Sequence, residues 1–270
     1  MAAPATRRPV RDARVGVMVT RPQPEAAETA LQLEAMGYRA ILAPALRRER
    51  LERAEAADLN GAQGAAFTSA AAARAFAEDA GADPALRVLQ RDVAAYCVGE
   101  RTADAARAAG FSSVACGPGD AAGLLARLEA LDPAAGGLAV FRGREVATNL
   151  AAPLAQRGFT ISQKRLYAAI ASKDLPAEAQ AELSAGTAQA ALFLSARTVE
   201  AFAAAARAAC AENNLSQVTA VCNSARTAAA ADLGPPFAAI AIAAAPTLEA
   251  TLDVLRVTIP PEGGGSVNVC

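Results

Sequence analysis

AAFTSAAAARAF, residues 65–76, runs from a short apolar stretch through two hydroxyl residues into an alanine-rich segment. That order reads as a buried strand feeding a helix capped by Thr68 or Ser69. LFLSARTVEAF at 192–202 repeats it, with Ser69 matching Ser195 and Phe76 matching Phe202. Working outward, VGVMVT (15–20), VAAYCVG (93–99), LAVFRG (138–143) and VTAVCNS (218–224) are further apolar runs, each ending in a turn or cap residue. Most lead into Ala-, Leu- and charge-rich segments of helical length. Short buried strands alternating with helices predict an α/β protein built on parallel sheets.

The echo extends along the chain. YCVGERTADAARAAGF (96–111) matches VCNSARTAAAADLG (221–234), pairing Arg101 and Thr102 with Arg226 and Thr227. VMVTRPQPEAAETALQLEAMGY (17–38) matches AVFRGREVATNLAAPLAQRGF (139–159), pairing Arg21 with Arg142 and Gly37 with Gly158. The offsets fall between about 121 and about 127 residues, the size of one duplicated domain.

Composition removes whole classes of chemistry. The 270 residues include no histidine, which excludes Ser-His and Cys-His nucleophile pairs, histidine metal sites and histidine acid–base catalysis. Cys97, Cys116, Cys210, Cys222 and Cys270 form no CxxC and read as reduced thiols of a cytoplasmic protein. A net charge of -1 makes no electrostatic case for nucleic acid or an anionic membrane. The apolar stretch Val15 to Val19 is too short for a signal-peptide core. The longest apolar run, Phe237 to Ala245, is too short to span a bilayer. Segments 1–13 and 259–270 read as flexible tails.

Parallel sheets bind ligands at the carboxyl ends of their strands. Thr20, Arg21, Thr68, Ser69, Gly99, Arg142, Gly143, Ser195, Asn223 and Ser224 stand at those ends. Hydroxyl caps and free N–H groups at helix starts suit an anionic ligand, although each Ser or Thr can equally serve its own helix. Arg142 and Arg144 around Gly143 suit carboxylates, or else are solvated surface arginines. Tyr167, one of three tyrosines, lies in KRLYAAIA and is either a proton-transfer phenol or packing at a domain junction. CGPGDAAG (116–123) has the spacing GxGxxxG rather than GxGxxG, and the next strand ends in no acidic residue. A dinucleotide cofactor is therefore disfavoured, and neither a phosphate loop nor a metal-ligand spacing occurs.

VMVTRPQPEAAETALQLEAMGYRAILAPAL (17–46), AAFTSAAAARAFAE (65–78), YCVGERTADAARAAGF, LYAAI (166–170) and AAAPTLEATLDVL (243–255) follow one another as in uroporphyrinogen-III synthases. From Val15 to about Leu255 the chain resembles that family. The resemblance implies two similar flavodoxin-like parallel-sheet lobes joined by a two-stranded hinge, with a ligand cleft between them. Lobe one would be 14–44 plus 171–258 and lobe two 49–165, with hinge crossings near 43–48 and 165–171. Repeat parts in the order A-B-C-A′-B′-C′ would then sort into lobes A-B′-C′ and B-C-A′. Sequence repetition alone suggests two plain tandem halves.

The family's activity is implied with its fold: a lyase of porphyrin (haem, chlorophyll and cobalamin) biosynthesis that needs no cofactor or metal. It closes hydroxymethylbilane to uroporphyrinogen III with loss of water and inversion of the terminal D ring. The implied setting is a cytoplasmic monomer without nucleic-acid or membrane partners, with room for a hand-over from hydroxymethylbilane synthase. Position by position, Tyr167 matches the family's hinge-region tyrosine, a general acid for the departing hydroxyl. Thr247 matches the threonine opening the last helix, and Thr68, Ser69, Thr102, Ser195 and Ser224 match cleft positions. Two departures stand out: Ala70-Ala71-Ala72 where many members carry a polar residue, and the polar turn Asn223-Ser224 where Gly or Pro is expected nearby. The rival readings are a non-catalytic two-lobed ligand-binding or sensor protein, and a cofactor-dependent enzyme using CGPGDAAG.

Overall fold

The computed structural model describes residues 13–145 and 148–261. In chain order its elements begin with β1 (Gly16–Val19), α1 (Glu25–Ala35), β2 (Arg39–Leu42), β3 (Leu46–Arg50), α2 (Ala56–Leu59), β4 (Ala62–Phe67) and α3 (Ala70–Ala82). There follow α4 (Pro84–Leu89), β5 (Ala94–Cys97), α5 (Glu100–Ala109), β6 (Val114–Cys116), α6 (Ala121–Glu129), β7 (Gly137–Gly143) and α7 (Ala151–Gln156). The remainder is β8 (Ile161–Ala171), α8 (Ala177–Ser184), β9 (Ala188–Phe193), α9 (Ala196–Ala208), β10 (Thr219–Cys222), α10 (Ala225–Asp232), β11 (Ala239–Ile242) and α11 (Leu248–Thr258).

The chain divides into two compact units, Met1–Arg47 with Ile170–Cys270, and Arg48–Ala169. Unit one has the sheet order β2-β1-β9-β10-β11, every neighbouring pair parallel. Counted along the chain this is the flavodoxin order, with its switch point between β1 and β9. Unit two has the order β3-β8-β7-β4-β5-β6. From β8 to β6 its pairings are parallel, and β3 closes the β8 edge. Just past β3, Leu51 and Glu52 donate to the carbonyls of Leu166 and Arg165, each at 3.1 Å.

Without β3, the second sheet reads β8-β7-β4-β5-β6, which is the first sheet's plan entered at a different strand. Strands β7 and β8 stand where β1 and β2 stand, β4 stands where β9 does, and β5 and β6 replace β10 and β11. Unit two is thus the flavodoxin arrangement with permuted connectivity and a sixth strand, β3.

Local chemistry repeats with the sheet. Helices α3 and α9 are both 13 residues long and start from serine caps of nearly identical conformation, Ser69 at φ -164°, ψ 153° and Ser195 at φ -164°, ψ 151°. Helices α1 and α7 end at Gly37 and Gly158, at φ +90° and +95°, a left-handed turn that other residues adopt only under strain. After each, the chain folds back: Tyr38 N–H donates to Leu33 at 3.0 Å and Phe159 N–H to Leu154 at 3.2 Å.

Alternating side chains cover both faces of each sheet, as parallel sheets require. In unit two, Ala65, Phe67, Ala139 and Phe141 join a core with Phe76, Phe111 and Leu86. Their neighbours Ala66, Leu138 and Val140 face the opposite side, against Leu124, Leu128, Leu154 and Phe159. Unit one buries Val15, Val17, Val19, Leu33, Tyr38, Leu192, Val221 and Leu255 together on one face. Ile259 packs against that core and its carbonyl accepts from the Tyr38 hydroxyl at 2.8 Å, so the expected C-terminal tail does not begin there. Segments 1–12 and 262–270 of the expected tails lie outside the described residues. Among the described residues no helix is long and apolar enough to cross a membrane.

Candidate functional site

Four helices start at the carboxyl ends of buried parallel strands: α3 after β4, α5 after β5, α9 after β9 and α10 after β10. Their capping tetrapeptides are Ser69-Ala-Ala-Ala72, Gly99-Glu-Arg-Thr102, Ser195-Ala-Arg-Thr198 and Ser224-Ala-Arg-Thr227. Extended backbone at each cap brings its side chain, where there is one, back over the first turn.

In unit one the twin Ser-Ala-Arg-Thr turns line a pocket of 350 Å³ with Leu194 and Asn223. Ser195 Oγ accepts from the Thr198 N–H and lies 2.7 Å from its Oγ1. Ser224 does the same with Thr227, whose hydroxyl is 3.0 Å away. The Thr227 hydroxyl also donates to Asn223 Oδ1 at 2.8 Å, and the Asn223 amide donates to the Leu194 carbonyl at 3.1 Å. This network fixes two helix N-termini side by side, and Arg197 and Arg226 are exposed at its mouth. Two positive dipole ends and two guanidinium groups suit a carboxylate.

Unit two brings together Ser69, Gly143 and Tyr167. Tyr167 sits on β8, half-buried against the phenylalanine core, with its hydroxyl 3.0 Å from Ser69 Oγ. A Cβ on Gly143 would lie 2.8 Å from Tyr167 Cζ, so only glycine lets the ring rest there. The Arg48 guanidinium stands 6.0 Å from the ring centroid, at the outer range of a cation–π contact. Strand β3, which carries Arg48, is held by the Arg50–Asp79 ion pair, while the buried Asp79 also accepts from the Ala54 N–H at 2.8 Å.

Other expected residues are placed differently. Thr20 is fully buried and its hydroxyl donates to the Leu192 carbonyl, tying β1 to β9. Arg21 donates to Thr29 Oγ1 at 3.0 Å. Thr68, half-buried, donates its N–H to Phe141 at 3.4 Å, and Thr102 is buried in the first turn of α5. Arg142 turns back on its own loop, donating to the carbonyls of Gly143 at 3.0 Å and Arg144 at 3.2 Å, while Arg144 pairs with Glu145 at 2.9 Å. Thr247 caps α11 from an exposed position, accepting from Ala250 N–H at 3.2 Å. The glycine-rich stretch after β6 is closed by its own contacts: Gly119 N–H donates to Val98 at 2.7 Å, and Asp120 accepts from Gly123 N–H at 2.7 Å. A Cβ at Gly99 would come within 3.2 Å of Gly119 Cα.

Sequence reasoning missed Thr198 as the partner of Ser195, and missed Arg48 beside Tyr167. The signal for the first was present: Ser-Ala-Arg-Thr occurs twice, at 195–198 and 224–227. Nothing local marks Arg48, which reaches Tyr167 only through strand pairing. Among the described residues no group of acidic or cysteine side chains could hold a metal ion.

A family model described as "Uroporphyrinogen-III synthase HemD" matches residues 27–253. Among solved structures, the uroporphyrinogen-III synthetase of Helicobacter pylori is 19% identical, with a TM-score of 0.60 over 90% of this chain and 99% of that one. A mutant uroporphyrinogen III synthase from Thermus thermophilus is 20% identical, with a TM-score of 0.49 over 90% of this chain and 97% of that one. No curated protein matches the chain.

Proposed function

The chain belongs to the uroporphyrinogen-III synthase family, and on that premise we propose that Tyr167 is the proton donor and the twin Ser-Ala-Arg-Thr pocket a carboxylate subsite. The reaction itself is the family's: hydroxymethylbilane closes to uroporphyrinogen III with loss of water and inversion of one ring. Its demands match what the chain can offer. The terminal C–O bond must break, and the departing oxygen needs a proton to leave as water. The far pyrrole must then attack through its substituted carbon, giving a spiro intermediate that reopens and closes with the ring inverted. No step calls for a strong nucleophile, so a chain without histidine loses nothing by lacking one. Orientation alone can supply up to about 7–11 kcal/mol of such a barrier.

The observation that carries this reading is the Tyr167 hydroxyl, held 3.0 Å from the cap of α3 at the strand-end side of its sheet. A phenol there can release its proton to the leaving hydroxyl as the bond breaks and recover one when closure expels a proton. Acetate and propionate groups on the four pyrroles suit the helix starts at Ser69, Gly99, Ser195 and Ser224. Thr20, Arg21, Thr68, Thr102, Arg142, Gly143 and Thr247 complete the proposed substrate-binding set. Thr20 and Arg142 would act in it through the turns they brace, and Gly143 and the Ser69 side chain through the Tyr167 ring they touch. The lobe limits and hinge expected from the sequence, a monomeric state, a cytoplasmic setting and hand-over from hydroxymethylbilane synthase belong to the same proposal.

Freshly made hydroxymethylbilane closes unaided to the symmetric isomer I, so chromatographic separation of the oxidised products reads the activity directly. Protein-dependent isomer III is expected, falling about 100-fold in Tyr167→Phe, the scale of one lost general acid. A Tyr167→Phe protein as fast as the parent would remove Tyr167 from the chemistry. Isomer I alone at the protein-free rate would leave a two-lobed binding protein.

A further inference from the structure

We propose that Ser69 and Gly143 are positioning residues for the Tyr167 phenol, an inference that rests on reading Tyr167 as the proton donor. A serine hydroxyl has one proton to donate and two lone pairs. In all three serine caps at these strand ends, one lone pair accepts the N–H of the third helical residue. At Ser195 the hydroxyl pairs with the threonine hydroxyl at that same third position, and at Ser224 it meets both the Thr227 hydroxyl and Asn223 Oδ1. At Ser69 the third residue is Ala72, fully buried and offering only a methyl group. The Ser69 hydroxyl is therefore left for another partner, and that partner is Tyr167 Oη, 3.0 Å away. Alanine at position 72, where the other two serine caps have threonine, is what releases it.

Gly143 supplies the other constraint. Its added Cβ would fall 2.8 Å from Cζ and 3.0 Å from Oη of Tyr167, so the bare backbone is the surface against which the phenol end of the ring lies. Ser69 opens a 13-residue helix packed into the core, and Gly143 ends a central strand. The phenol is thus indexed to two rigid elements, as a reacting group must be.

The chemistry gives Ser69 a sense of direction. When the hydroxymethyl C–O bond breaks, its electron pair stays on the oxygen, which takes the Tyr167 proton and departs as water. The phenolate left behind accepts the Ser69 O–H, while Ser69 still accepts from the Ala72 N–H at 3.1 Å. A hydrogen bond to an ionised oxygen is about twice as strong as one to a neutral oxygen, so this contact tightens in the transition state. Ring closure then returns a proton to the phenolate.

Steady-state kinetics on fresh hydroxymethylbilane, read as isomer III, test this with Ser69→Ala, Ser69→Thr, Gly143→Ala, Tyr167→Phe and the double variant Ser69→Ala/Tyr167→Phe. Ser69→Ala should lower kcat about tenfold with KM within about twofold, the loss expected for one hydrogen bond to a charged group. Ser69→Thr, which keeps both hydroxyl and cap, should recover most of it. Gly143→Ala should also lower kcat, because the ring end can swing aside without unfolding the strand. The double variant should be no slower than Tyr167→Phe alone, since Ser69 acts only through the phenol. A full tenfold loss from Ser69→Ala in the Tyr167→Phe background, or a rise in KM at constant kcat, would show that Ser69 meets the substrate itself and overturn the proposal. So would a Gly143→Ala protein with the parent kcat, a result that holds even if Ser69→Ala fails to fold. A Tyr167→Phe protein of undiminished kcat is the separate outcome in which the proton-donor reading falls first.

Discussion

Units one and two share a five-stranded parallel plan reached by two chain routes, with a sixth strand added in unit two, and they differ most where their helices begin. In unit one, Ser195 and Ser224 each close on a threonine hydroxyl within their own turn. In unit two, Ser69 has no such partner and turns to Tyr167. On the proposal above, unit one would serve static recognition and unit two would keep one hydroxyl for a group that changes charge. The cores differ too. Phe67 stacks on Phe141 at 5.3 Å and meets Phe76 and Phe111 edge-on at 5.5 and 5.4 Å, whereas its counterpart Phe193 touches two rings, Phe202 and Phe237.

The core contrast can be broken most forcefully. Phe67→Ala should cost about 3–5 kcal/mol, and Phe193→Ala should fall at the lower end of that range. Both rings are fully buried, so the difference measures the aromatic neighbours left facing a void. Urea unfolding followed by circular dichroism reads both. Equal losses would mean that alanine packing, common to both units, sets the cost.

The cap contrast is smaller. Thr227→Ala should destabilise by about 1 kcal/mol or slightly more, because Asn223 Oδ1 loses one of its two donors. Thr198→Ala should cost less, since only the Ser195 hydroxyl loses a partner. If Thr198→Ala were the costlier, the Asn223 turn would not be what stiffens the pocket.

Much of this was legible in the sequence, and for definite reasons. A strand that ends in Ser and opens an alanine helix leaves a local signature, so Ser69 and Ser195 were matched as caps at 126 residues' spacing, about one domain. Gly37 and Gly158 were matched because a left-handed helix end admits little else. Parallel sheets followed from the short apolar runs. Strand order did not follow, because pairing β7 with β4 and β1 with β9 is a long-range choice that no local residue encodes. For the same reason the third helical residue looked incidental. Ala72 reads as filler until Tyr167, 95 residues further on, is seen to stand where a threonine hydroxyl stands in the other unit.

The smallest effect uses a thiol in each unit. Cys97 ends β5 and Cys222 ends β10, equivalent strands, and both are fully buried. Burial pushes the Cys97 thiol up to about 12 and the Cys222 thiol up to about 11. A folded pKa above the unfolded one gives stability that is full below the ordinary thiol value of 9.0, falls as pH rises past it, and is gone above about 11 to 12. At pH 8 both thiols are therefore protonated and inert in the folded chain, since alkylation needs the thiolate. Among the cysteines of the described residues, the exposed Cys210 should react with iodoacetamide first. With rising urea, peptide mapping should then find Cys222 labelled before Cys97, because Cys97 shares its core with Phe67, Phe76, Phe111 and Phe141. The gap should be small, since each strand lies one in from the edge of its sheet. Simultaneous labelling would mean that the two routes of the chain yield units of equal local stability, and that the extra rings serve the setting of Tyr167 rather than the endurance of its unit.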